Sequence, residues 1–267
     1  MERIGKEELK KIQLNILKQV ASFCEKQNIN YSLYGGTLLG AVRHKGYIPW
    51  DDDIDISMPR PEYERFIKEF HLIGDTYLKI HDISINNNYP YPFIKVSDER
   101  TLFVEHSDIN YTLGVNIDIF PIDGLPRSEN KSNYIMRKST LYRNLIDLKR
   151  IKIHKDRKLH KNAFLIIARL ILFFVPEVFL LNRINALTTK NDYENSNFVG
   201  NIVWGYGSKE RCLKTFYCDY LFLEFEGYYF QTMIGYNGYL ANVFGNFMQL
   251  PPKEKQIAHH SFMAFYK

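Results

Sequence analysis

The stretch "YGGTLLGAVRHKGYIPWDDDIDI", residues 34–56, sets four aspartates in five positions shortly after a glycine pair. Close like charges repel, and folding gains nothing from crowding them unless a positive group lies between. A divalent cation that holds a phosphate-bearing substrate resolves the conflict. Asp53-Ile54-Asp55-Ile56 alternates with period two and reads as a half-buried strand. On such a strand Asp53 and Asp55 point to one side, with Cα atoms about 6.5 Å apart. Oxygen-only ligation favours Mg²⁺ or Mn²⁺. Asp51 and Asp52 come before the strand, and Asp51 is a further candidate ligand.

Upstream, residues 31–34 read as a short buried strand that breaks at Gly35-Gly36, and residues 37–44 as a helix starting directly after the glycines. Without side chains, Gly35 and Gly36 let backbone N–H groups approach a phosphate, and the helix N-terminus adds partial positive charge. Thr37 offers a hydroxyl there. Arg43 and Lys95 are candidate counter-charges for phosphate oxygens. Downstream, residues 115–120 alternate again, with Val115, Ile117 and Ile119 on one face and Asn116, Asp118 and Phe120 on the other; Pro121 closes that strand. If the strands are neighbours, Asp118 supplies a third carboxylate. Three such groups hold two metals about 4 Å apart, an arrangement suited to phosphoryl transfer.

The rest of the first half alternates helix and strand. Leu9, Ile12, Ile16, Val20 and Phe23 mark an amphipathic helix over 6–27, ended by Asn28 and Asn30. Pro61 opens a helix that runs to about Phe70, and strands at 93–97 and 101–105 are joined by a turn at 98–100. Beyond residue 130 the chain turns to helices and aromatic-rich segments. The expectation is an α+β protein: a mixed sheet flanked by helices in a catalytic core over 1–130, then a mainly helical part over 131–267 that completes the substrate site.

Composition bounds the alternatives. Of 267 residues, 45% are apolar and 24% charged, which is ordinary for a globular protein. Cys24, Cys212 and Cys218 form no C-x-x-C pair, so a disulfide framework or four-cysteine zinc site is not expected. The opening MERIGKEELKK shows no apolar secretion core, and a cytoplasmic location is expected. Residues 137–161 hold ten Lys/Arg against two Asp, a local excess of +8 in a chain of net +5. No nucleic-acid motif accompanies them, so no nucleic-acid partner is expected. The apolar run over 163–181 is interrupted by Arg169 and Glu177 and is too short to span a bilayer. It reads first as a buried helix and second as an interfacial one, making peripheral membrane contact through 137–181.

Two rivals explain the aspartates less fully. Asp51, Asp53, Asp55 and Glu62 fit positions 1, 3, 5 and 12 of a calcium loop, but Ile56 stands where that loop needs glycine. A glycosyltransferase D-x-D pair accounts for the acids and leaves the glycine pair unexplained.

The segments "YGGTLLGAVRHKGYIPWDDDIDISMPRPEYERF", "FIKVSDERT", "GVNIDIFPIDGLP" and "GYLANVFGNFMQLPPKEKQIAHH" together resemble the signature of the LicD family, whose members transfer phosphocholine or related phospho-alcohols onto glycans. The fukutin group shares the D-D-D-h-D element. The resemblance implies a nucleotidyltransferase-like fold with catalytic, metal-binding carboxylates at Asp53, Asp55 and Asp118. It also implies a reaction, in which a sugar hydroxyl attacks the phosphocholine phosphorus of CDP-choline and releases CMP. The acceptor so implied is a glycan precursor of teichoic acid or lipopolysaccharide type, carried on a lipid, which would bring the enzyme to the inner face of the membrane. Asp118 or Asp51 would take the hydroxyl proton, and glycerol or ribitol phosphate would suit the same scaffold. One departure is Asn246, where relatives often have Asp. Trp50, Tyr47 and the tyrosines of 206–239 are cage candidates for a quaternary ammonium, although core packing is the ordinary fate of such rings.

Overall fold

In a computed structural model that describes residues 1–74, 76–105, 109, 111–151, 159–257 and 262–267, the first amphipathic segment forms helix α1 (Lys6–Gln27). Its apolar stripe, including Leu9, Ile16, Val20 and Phe23, is buried. Asn28 ends it in the left-handed region at φ +56°, a conformation that asparagine tolerates.

Beneath α1 lies a mixed nine-stranded sheet. Its main path contains β1 (Arg3–Ile4), β2 (Ser32–Leu33), β3 (Asp55–Pro59), β5 (Ile94–Glu105), β6 (Leu113–Leu125) and β11 (Phe262–Tyr266), in the order β1-β11-β5-β6-β3-β2. β4 (Leu78–His81) pairs with β5, β7 (Phe198–Gly200) with β6, and β8 (Cys212–Leu213) with β7. β3 runs parallel to β6, and the other pairings of this sheet are antiparallel. Helices α2 (Gly35–His44) and α3 (Arg60–Glu69) flank β3. The second half adds α4 (Glu129–Arg150), α5 (Leu159–Leu172), α6 (Glu177–Thr188) and α7 (Tyr236–Phe244), with a separate hairpin of β9 (Tyr220–Phe225) and β10 (Tyr228–Met233). The fold is α+β.

Several local expectations need correction. Helix α2 starts at Gly35 itself, so both glycines lie in its first turn. The strand expected from Asp53 begins at Asp55, where pairing with β6 begins; Asp53 stays in the preceding loop, and the idea that both acids share one strand face does not hold. The two strands expected at 93–97 and 101–105 are one strand, β5, kinked by a register shift between Asp98 and Phe103. There the Asp98 carboxylate accepts the Arg100 N–H (3.0 Å) and Thr101 Oγ1 donates to the Asp98 carbonyl (2.7 Å), so a local turn survives inside a continuous strand. Pro121 does not close β6, which runs on to Leu125. Pairing with β5 stops at Ile94 and Ile119, so the missing proline N–H costs no bond on that side.

Candidate active site at the carboxylate cluster

Strand register assembles the site. The parallel pairing of β3 and β6 sets Asp55 opposite Asp118, and the antiparallel pairing of β5 and β6 sets Lys95 opposite Asp118. The Asp118 N–H donates to the Ile54 carbonyl (3.0 Å), which holds that register. Three ionisable residues therefore stand in a row across three central strands. Lys95 Nζ donates to Asp118 Oδ1 (2.5 Å) and to Asn116 Oδ1 (3.1 Å), and Asn116 is oriented by donating its own amide to the Gly114 carbonyl (2.8 Å). Lys95 is 7% exposed, so this ammonium is committed to the cluster and not to bulk water.

The glycine pair closes on the acids from α2. Gly35 has φ +52°, and a Cβ there would lie 3.2 Å from Asp55 Oδ2. At Gly36 a Cβ would lie 2.5 Å from Asp51 Oδ2, closer than real side chains approach. At Gly35 the positive φ favours glycine, and at Gly36 any side chain would displace the Asp51 carboxylate. Thr37 Oγ1 accepts the Asp55 N–H (2.8 Å), and the Tyr34 N–H donates to the Asp55 carbonyl (3.0 Å). The hydroxyl assigned by the sequence to phosphate thus fixes the backbone of an acid.

A turn at Pro49 and Trp50 delivers the remaining carboxylates, with the Asp51 N–H donating to the Ile48 carbonyl (2.8 Å). Asp51, Asp52 and Asp53 each bring an oxygen within 4.8 Å of the others. Burial pushes the Asp55 carboxyl well above the ordinary range; Asp53, Asp118 and Asp51 push it further, and only partly does Lys95 oppose them. Such crowding of hard oxygen donors, with a side-chain-free cradle beside it, fits a divalent cation.

These groups face a cavity of about 1410 Å³. Gly35, Gly36, Asp51, Asp53, Asp55 and Asp118 line it, as do Arg43 and Lys95. Arg43 donates from Nη1 to the Phe247 carbonyl (2.8 Å) and more weakly to that of Gln249 (3.4 Å), so it anchors the C-terminal loop over the cavity. Asn246 lies in that same loop, among the lining residues. Of the aromatic candidates, Trp50 and Tyr206 line the cavity; Tyr47 instead sends its hydroxyl to the Lys10 carbonyl and Gln13 (both 3.2 Å). Sequence reading did not single out Tyr91, Phe93 and Trp204, which complete an aromatic wall. Lys95 sits over the Tyr91 ring at 4.9 Å and Phe93 packs edge-on to Trp204 at 5.5 Å.

Glu210 was also missed, since its partners lie far off in sequence. It is 1% exposed; the Tyr34 hydroxyl donates to Oε2 and the Tyr206 N–H to Oε1 (3.0 Å). Tyr34 precedes the glycine pair and Tyr206 also lines the cavity, so this carboxyl ties two lining segments together. Burial raises its pKa to about 7. The folded state therefore binds a proton that the unfolded chain releases, and stability falls as pH rises from the ordinary carboxylate range through 7. Glu210→Gln is expected to raise stability at pH 8 by about 1–3 kcal/mol relative to the parent and to change little at pH 4.5. Urea denaturation at the two pH values checks this; equal effects at both would contradict it.

The family description "LicD/FKTN/FKRP, nucleotidyltransferase domain" matches residues 28–162. Over 274 aligned residues, 97% of each chain, the protein is 31% identical to the lipopolysaccharide cholinephosphotransferase LicD of Haemophilus influenzae. It is also 31% identical over 113 residues to an uncharacterized protein of Rickettsia typhi, covering 40% of this chain and 33% of that one. An uncharacterized protein of Rickettsia prowazekii is 40% identical over 75 residues, 27% of each chain.

Proposed function

The chain belongs to the LicD family, and we propose that it transfers phosphocholine from CDP-choline to a sugar hydroxyl of a lipid-linked glycan precursor, of lipopolysaccharide or teichoic acid type. One observation carries the proposal: β-sheet register gathers Asp55, Asp118 and Lys95 beside a glycine cradle, in a cavity large enough for a nucleotide donor.

In this reading Asp53, Asp55 and Asp118, with Asp51 beside them, hold Mg²⁺ or Mn²⁺. A cation bound there would draw charge from the diphosphate and steady the departing CMP. Gly35 and Gly36 present main-chain N–H groups at the start of α2 to the same diphosphate. Lys95 bonds Asp118 and holds it in place at the cavity wall. The acceptor hydroxyl forms the new P–O bond as the bond to CMP breaks, and Asp118 or Asp51 takes its proton. Trp50, Tyr206 and the Tyr91–Trp204 wall offer ring faces for a quaternary ammonium. Residues 1–130 supply the acids, and residues from 147 onward close the cavity over them. A nucleotide-activated donor places the enzyme in the cytoplasm, at the inner face of the membrane where lipid-linked precursors are built.

The test is a donor panel: CDP-choline, CDP-glycerol, CDP-ribitol and nucleotide-sugars, each with magnesium and a glycan acceptor. CMP release that depends on acceptor and on CDP-choline is expected. Release with CDP-glycerol or CDP-ribitol instead would overturn the choline assignment, and turnover of a nucleotide-sugar would overturn the phosphotransferase reading.

A further inference from the structure

Between residues 163 and 179 every exposed side chain is apolar. Phe164, Ile167, Leu170 and Ile171 cover the outer face of α5, and Phe173 and Phe174, 75% and 86% exposed, form the tip of the turn into α6. The expectation of a buried helix holds for one face only, that of Leu165, Ala168 and Leu172. Meanwhile the ionisable groups of the segment point inward. Arg169 donates to the Leu148 and Ile151 carbonyls, and Glu177 accepts from Arg150 Nε (3.0 Å) and Nη2 (2.8 Å). Lys149 Nζ satisfies the Leu172 (3.2 Å) and Val175 (2.5 Å) carbonyls at the turn.

This is the reverse of a surface made for water, where charges face out and large apolar patches are rare. Satisfied turn carbonyls are what a segment needs in order to enter a medium without hydrogen-bonding partners. The bend between Asn162–Leu172 and Glu177–Thr188 is 80°, and among the described residues no single helix is long and apolar enough to cross a membrane. The two helices are long and apolar enough for that only as a pair, and the bend makes them an elbow and not one straight span.

Basic groups extend from one edge of the patch. Arg183 sits over the Phe179 ring at 5.7 Å and within electrostatic reach of Lys138, which shares Tyr134 with Lys190. We infer that the α5–α6 elbow is an interfacial anchor that inserts Phe173, Phe174 and the outer face of α5 into an anionic lipid bilayer, with Arg183, Lys138 and Lys190 at headgroup level. The same turn of α4 whose Lys149 and Arg150 grip the elbow also contributes Asp147, Arg150 and Ile151 to the cavity wall. Docking thus brings the cavity to the lipid surface. The anchor stands on the elbow alone; only its use in reaching a lipid-borne acceptor rests on the proposed function.

Flotation of the full chain with phosphatidylcholine vesicles containing about one third phosphatidylglycerol, at low salt, tests it. The chain is expected to float. Phe173→Asp with Phe174→Asp should cut the bound fraction about tenfold or more while leaving the melting temperature and CMP release with a soluble acceptor unchanged. Amide exchange over 163–179 should slow on vesicles, which reads the contact without any substitution. A chain that stays with the soluble fraction, or a double variant that floats like the parent, overturns the inference. So does a dimer that the double variant splits while neither form binds vesicles, since a second copy would then cover the patch.

Discussion

Asp55→Asn is expected to lower turnover by about 10³-fold or more and, at the same time, to raise the melting temperature. The substitution keeps the shape of the side chain and the strand register, because Asp55 is positioned through its backbone by Thr37 and Tyr34. What it removes is a carboxylate held against Asp53, Asp118 and Asp51 in a poorly solvated place. Relief of that repulsion stabilises by about 1–2 kcal/mol, a few degrees for a chain of this size. The same crowding is what gives a cation its hold, so magnesium should raise the melting temperature of the parent and not of the variant. Thermal denaturation with and without magnesium, run beside CMP release, reads all three effects. A variant that melts lower than the parent, or that keeps its turnover, contradicts this assignment.

Lys95→Met is expected to have the second largest effect, and of opposite sign on stability. Its ammonium bonds Asp118 at 2.5 Å and is the group that opposes the acids around Asp55. Methionine retains the length and the packing on Tyr91 and Phe93 but leaves the carboxylates without that compensation. Breaking a largely buried pair on one side costs about 2–4 kcal/mol, because the remaining charge stays desolvated. Turnover should fall about 10²-fold or more as Asp118 loses its orientation. Adding Asp118→Asn to Lys95→Met should recover most of the stability and none of the activity. Urea denaturation of the two single variants and the double variant gives the coupling. Additive losses would show that the two side chains do not act as a pair.

Local pattern in the sequence reached the first helix and picked out the acids that line the cavity, and stopped where distant strands had to be placed. The three- and four-residue spacing from Leu9 to Phe23 is a property of one helix, so it could be read directly. Alternation around Asp118 showed which face the side chain takes, but its neighbour across the sheet is decided by β3 and β5 pairing. Alternation misled at Asp53, because period two describes an extended chain and does not say where a ladder begins. At 98–100 the turn chemistry of Asp98 and Thr101 is real, yet β11 and β6 hold both sides of it in one strand. Glu210 carries no local signal; its role comes from a tyrosine 176 positions away. The strands of the second half were likewise hidden, since Phe262–Tyr266 finds its place only against β5 and β1.

The central claim is that the acids of β3, β6 and the 51–53 turn hold a cation against a diphosphate cradled by Gly35 and Gly36. A structure of the chain with CDP-choline and magnesium measures this directly. The account predicts a cation bonded to Asp53, Asp55 and Asp118 at about 2.1 Å, shared with phosphate oxygens that lie against the first turn of α2. A donor bound elsewhere, or a diphosphate seated with none of these carboxylates on its cation, would contradict it.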